Sequence, residues 1–147
     1  MELILFIGIP ASGKSSFYRE RFFRTHVRVN LDMLKTRSRE ELLIAACLRG
    51  KTKFVVENTN VTREERARYI RAAREAGFKI IGYFFESTAA EAVARNRARS
   101  QADRVPDVAI YTKNKRLEVP ALGEGFDELY LVRLQGPGKF SVEEWKV

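Results

Sequence analysis

With 147 residues the chain is sized for one hydrophobic core, so we expect a single domain over 1–147, with residues 135–147 as a C-terminal tail. Its 27 Lys and Arg against 19 Asp and Glu give a formal charge of +8, a field that attracts polyanions, whether nucleic acid or the phosphates of a nucleotide. A lone cysteine, Cys47, excludes an intrachain disulfide framework, and no apolar run is long enough to span a bilayer.

Met1–Ile7 carries no basic leader, so no signal peptide, no membrane partner and a cytoplasmic location are expected. Leu3–Ile7 is a continuous apolar run stopped by Gly8, the pattern of a central parallel strand buried on both faces. Val27–Val29, Phe54–Val56, Ile80–Phe85 and Leu129–Val132 read the same way. Between them, Ser38 with Glu41, Thr62 with Glu65, and Thr88 with Glu91 have the capping-box spacing that starts helices, and Gly50 and Gly77 supply stops. Cys47 falls in an apolar helical stretch, where a thiol is inert core. Strands alternating with capped helices predict an α/β fold with a mostly parallel sheet of about five strands and helices on both faces. Ligands of such a sheet bind beyond the carboxyl ends of its strands. The end of the chain, from Gln135-Gly136-Pro137-Gly138 through Trp145, reads as a loose tail.

The segment Gly8-Ile9-Pro10-Ala11-Ser12-Gly13-Lys14-Ser15 fills every fixed position of G-x-x-x-x-G-K-[ST] between a strand and a helix. Glycines let such a loop curl until successive amides face phosphate oxygens, and the helix that follows adds its positive end. Gly8, Pro10, Ala11, Ser12, Gly13, Lys14, Ser15 and Ser16 are therefore expected to bind ATP. Lys14 would reach the β- and γ-phosphates, and the Ser15 hydroxyl would ligate Mg²⁺. Asp32 follows the short second strand at the rim where an acceptor hydroxyl could meet the γ-phosphate, so it is a candidate general base; from spacing alone it is equally a helix cap. Glu57 ends the Phe54–Val56 strand at the position of an acid that holds Mg²⁺ through water. Asn58, Thr59 and Asn60 would face the acceptor, or serve as turn residues. Beyond the Thr88 cap, Arg95 and Arg99 are four apart and would share a helix face, either as a lid over the phosphates or as a solvated surface.

Taken in order, these segments resemble the kinase part of the polynucleotide kinase/phosphatase family and of phage polynucleotide kinase, from Leu3 to Arg133. The resemblance is carried by Val56-Glu57-Asn58-Thr59-Asn60, Arg66-Ala67-Arg68-Tyr69-Ile70, Arg95-Asn96-Arg97-Ala98-Arg99, Val105-Pro106 and Val119–Asp127. It implies a P-loop NTPase three-layer sandwich with strand order 2-3-1-4-5. It also implies a catalytic set of Asp32, Lys14 and Arg99, with Asp32 as base for a 5′-hydroxyl and Arg99 in a lid. The chain departs from the family at Leu31, where an arginine is usual, and at Glu57, where animal relatives carry aspartate. Lys35 stands where the phage enzyme has an arginine against the acceptor's phosphate. The aspartate nucleophile motif of the phosphatase part is absent, so no 3′-phosphatase activity is expected.

The expected function is transfer of the ATP γ-phosphate to the 5′-hydroxyl of DNA or RNA. Two others stay open: a kinase for a nucleoside, sugar or antibiotic on the same fold, and a nucleotide-dependent switch or nucleic-acid binding module without catalysis. A guanine-reading motif is incomplete at Asn114-Lys115-Arg116-Leu117, which lacks its aspartate, and this disfavours a GTPase switch.

Overall fold

Five consecutive apolar side chains, Leu3–Ile7, cannot be covered from one side, and β1 (Glu2–Ile7) accordingly lies inside the sheet with both faces buried. The structure, a computed structural model, describes residues 1–146. β1 pairs in parallel with β3 (Phe54–Val56) on one side and β4 (Lys79–Phe85) on the other. Beyond these lie β2 (Val27–Val29) against β3 and β5 (Glu128–Gly136) against β4, both parallel. Because successive side chains point to opposite faces, Leu3, Leu5 and Ile7 pack with Tyr69, Ile70 and Ile80 on one side. Ile4 and Phe6 pack with Phe17, Phe22 and Phe85 on the other. The second side is an aromatic cluster, with Phe6 and Phe85 rings 4.9 Å apart and Phe17 and Phe85 5.3 Å apart, both edge-on.

The helices are α1 (Lys14–Arg21), α2 (Leu31–Leu34), α3 (Arg37–Arg49), α4 (Arg63–Glu75), α5 (Ala89–Arg97) and α6 (Asp107–Arg116). Layered against the sheet, they form the P-loop three-layer sandwich. Thr62 and Thr88 accept the amides of Glu65 and Glu91 at 3.2 and 3.1 Å and so start α4 and α5. Ser38 does not cap α3. Thr36 does, accepting from the Arg39 amide at 3.2 Å, and Ser38 falls inside the first turn.

Two expectations need correction at the C-terminal end. The sheet has six strands in the order β2-β3-β1-β4-β5-β6, because β6 (Lys139–Glu144) adds antiparallel to β5. The segment expected to be a loose tail is therefore mostly strand, apart from Val147, which lies outside the described residues. The reason is legible afterwards: Gly138 takes φ 71° to close the turn, and Phe140 and Val142 alternate with polar neighbours so that both pack on the aromatic side. Trp145 docks edge-on to Phe84 at 5.9 Å, and its Nε1 donates to the Pro120 carbonyl at 2.9 Å. Among the described residues no helix is long and apolar enough to cross a membrane.

Candidate active site

All five parallel strands end at the same edge, so the loops after β1, β2, β3 and β4 converge there. The loop after β1 curls tightly. A Cβ on Gly8 would stand 2.8 Å from Ser12 Oγ and 3.2 Å from the Phe85 carbonyl, so only glycine fits without displacement. Ala11 and Gly13 take φ 63° and 99°, and the Gly8 amide is anchored on the Thr59 carbonyl at 2.9 Å. α1 starts at Gly13 with no side-chain cap and no acid in its first turn, which leaves its leading amides to an anion.

Lys14 is buried within this curl and donates to the carbonyls of Gly8 and Ile9 at 2.9 and 2.7 Å and to Ser12 Oγ at 3.4 Å. Burial lowers its pKa from 10.5 to about 7, opposed by Glu57 and Asp32 and reinforced by Arg99 and Lys113. Lys14 thus lies within the fields of both the proposed base and the proposed lid.

On the neighbouring strand ends, Glu57 is buried and heavily used. Its Oε2 accepts from Asn30 Nδ2 at 2.6 Å, from Arg28 Nη2 at 2.8 Å and from Ser15 Oγ at 3.2 Å. The hydroxyl of Ser15 thereby donates to Glu57 while its oxygen also accepts from Arg28 Nη2 at 3.5 Å, and Glu57 holds Ser15 rather than presenting an open carboxylate. Among the described residues no cluster of three or more His, Cys, Asp or Glu forms. The loop's orphan amides, Lys14 and the oriented Ser15 together fit ATP·Mg²⁺.

Asp32 is exposed on α2, and the helix-cap alternative falls to its neighbour: Asn30 Oδ1 accepts the Met33 amide at 2.9 Å. Asp32 lines two adjoining cavities. The larger, about 750 Å³, is bounded by Gly13, Ser15, Ser16, Arg19, Phe23 and Arg28. The smaller, about 320 Å³, is bounded by Pro10, Ala11, Lys14, Glu57, Thr59 and Arg37. Arg99, Asn30 and Ser15 line both.

Several expected assignments change. Arg99 lies past the end of α5, so Arg95 and Arg99 do not share a helix face. Arg95 turns to the phosphate loop from behind, donating through Nε to the Ala11 carbonyl at 2.7 Å and through Nη2 to Ser87 Oγ, and is a brace rather than a lid. Lys35, at φ 77° on the C-terminal side of α2, lines neither cavity; Arg37 does. Asn58 and Asn60 border the smaller cavity, but their amides serve the fold. Asn58 accepts from the Leu31 amide and donates to Glu40 Oε2, each at 2.9 Å, and Asn60 donates to the Phe6 carbonyl at 2.8 Å. Thr59 alone of the three has no such side-chain bond among the described residues.

Sequence reading passed over Arg28, Arg37 and Lys113. Arg28 alternates with half-buried Val27 and buried Val29 on a strand too short to show a period, and Arg37 is disguised as the first helical residue after Thr36. Arg37 Nη1 donates to Glu40 Oε1 at 3.0 Å and to Tyr69 Oη at 2.9 Å. Although burial alone would lower its pKa, Tyr69 and Glu40 raise it overall, so its charge is secure.

Comparison with known proteins agrees with this architecture. Residues 35–120, more than half of the chain, match the family described as AAA domain. A bifunctional polynucleotide phosphatase/kinase of Schizosaccharomyces pombe is 30% identical over 131 residues, covering 85% of this chain and 32% of that protein. The chain thus spans about a third of the length of this relative. Among solved structures, a chain of the Pnkp1/Rnl/Hen1 RNA repair complex aligns at 24% identity with TM-score 0.63, over 79% of this chain and 43% of that one. A gluconokinase from Sinorhizobium meliloti 1021 aligns at 17% with TM-score 0.65, over 93% and 85%. These two likenesses establish the fold.

Proposed function

This chain belongs to the AAA domain family, and we propose that it is a P-loop kinase that moves the γ-phosphate of ATP to the 5′-hydroxyl of a polynucleotide. The observation that carries the reading is Asp32: free of capping duty, it stands on the wall shared by the two cavities, which also share Ser15 and Arg99, with Lys14 lining the smaller. Bound ATP·Mg²⁺ supplies the phosphoryl group and neutralises part of its charge. Asp32 would accept the hydrogen bond of the acceptor hydroxyl and take its proton as the new O–P bond forms and ADP leaves. Lys14 and Arg99 would offset charge on the oxygens in transfer, and Ser15, oriented by Glu57, would hold the metal.

Three things support a polynucleotide acceptor. The S. pombe relative is named for one, the chain carries +8, and Arg19, Arg28, Arg37, Arg99 and Lys113 ring the cavities. A cytoplasmic site of action belongs to the same reading, and phosphatase activity does not.

The test is labelled-phosphate transfer from ATP to 5′-hydroxyl DNA, RNA, mononucleotides and sugars. Transfer to oligonucleotides is expected, with Asp32→Asn lowering kcat by about 10²- to 10⁴-fold and leaving ADP affinity intact. Transfer to sugars alone would move the assignment to a small-molecule kinase, and hydrolysis indifferent to any acceptor would move it to a switch.

A further inference from the structure

Two phenylalanines follow α1, and they part company. Phe22 is buried with its ring 5.9 Å from that of Phe6, whereas Phe23 is 69% exposed and lines the larger cavity. A phenylalanine left in water forgoes the gain of burial, so its surroundings matter. Arg19, one helical turn earlier, is exposed on the same cavity wall. Arg28 sits across from them, its guanidinium 5.9 Å from the Tyr18 ring centroid and 4.0 Å from Met33 Sδ, with a third of its side chain in solvent. Met33 is itself 50% exposed. This cavity therefore carries the Phe23 and Tyr18 rings beside Arg19 and Arg28, and the same wall holds Asp32 and Ser15.

We propose that Phe23, with Arg19 and Arg28, is a seat for one nucleotide unit of the acceptor strand: its base stacks on the Phe23 ring and its phosphodiester lies on Arg19. Exposed aromatic rings beside cationic side chains are the chemistry by which single strands are held without regard to sequence, since every base offers a π face and every link a charge. The adenosine of ATP offers the same chemistry, but charge favours the strand. The triphosphate is already answered by the loop amides, Lys14 and Arg99, and Arg28 is neutralised by Glu57, whereas Arg19, without a salt bridge among the described residues, adds positive charge beside Phe23, which lies past the end of the helix that begins at Lys14. The proposal rests on the polynucleotide reading.

The test measures anisotropy of a 3′-labelled 5′-hydroxyl single strand on the full chain, with ADP affinity by calorimetry alongside. Phe23→Ala should weaken strand binding about tenfold and leave ADP affinity alone, Phe23→Trp should restore it, and Arg19→Ala should flatten the salt dependence by about one phosphate contact. Unaltered strand binding by Phe23→Ala would overturn this seat and leave the kinase reading intact. Weakened ADP binding with unaltered strand binding would reassign the ring to the adenine of ATP. A wild-type chain that binds no strand at all would overturn both readings.

Discussion

Lys14 illustrates how a binding group is held ready at an electrostatic cost. Its ammonium is capped by two carbonyls and a hydroxyl, yet burial brings its pKa down to about 7 from 10.5. Between those values the unfolded chain binds the extra proton, so this group's contribution to stability rises as pH climbs from about 7 towards 10.5, and below 7 the full burial penalty is carried. Phosphates arriving beside Lys14 reverse the shift. ADP binding at pH 8 should therefore draw in close to one proton, seen as a dependence of calorimetric heat on buffer ionisation enthalpy, and Lys14→Ala should abolish it. The identity of Lys14 and the glycines was legible in sequence because a phosphate loop needs fixed types at fixed spacing. The loss of Lys35 to Arg37 was not legible: both are basic, both follow Asp32 closely, and only the turn at Lys35 with φ 77° sends one away from the cavity.

Elements are tied to the site through buried polar links that no periodicity announces. Arg66 on α4 is fully buried and pairs with both oxygens of Glu124 at 2.8 and 3.0 Å, while its Nη1 donates to the Asn60 carbonyl at 2.9 Å. One guanidinium thus joins α4, the turn Leu122–Glu124 and the loop after β3, the loop whose Thr59 carbonyl anchors Gly8. Removing it leaves a largely buried carboxylate unpaired. Arg66→Ala should cost about 3–5 kcal/mol in urea unfolding, and Arg66→Met with Glu124→Leu should recover much of that. Helix starts at Thr62 and Thr88 could be read from hydroxyl and carboxylate spacing, because the interaction is local. The start of α3 could not, since Thr36 and Ser38 both offer a hydroxyl and the choice between them depends on how α2 ends.

For the molecule as a whole, +8 acts at a distance while the cavity charges act in contact. Six cationic residues, Lys14, Arg19, Arg28, Arg37, Arg99 and Lys113, line the two cavities against the carboxylates of Asp32, Glu57, Glu65 and Asp103, so a strand should feel both the general field and specific contacts. Raising salt from 50 to 200 mM should lower kcat/KM for an oligonucleotide by about tenfold or more, and should change kcat/KM for a neutral small alcohol, if it is used, far less. β6 belongs here too. Its Phe140 ring packs 5.1 Å from Phe17 and within 3.1 Å of where a Cβ on Gly13 would be, so the last strand buttresses the phosphate loop.

Sequence alone determined the sandwich, the five parallel strands and the phosphate loop, because apolar runs, caps and glycine spacing are local consequences of backbone geometry. Tertiary structure decided the rest: which hydroxyl or amide capped α2 and α3, that Arg95 braces the loop while Arg99 faces the cavities, that Glu57 grips Ser15 and Arg28, and that Lys139–Glu144 adds a sixth strand at the sheet's edge. Each of those depends on partners distant in sequence, where direction and distance are set by packing.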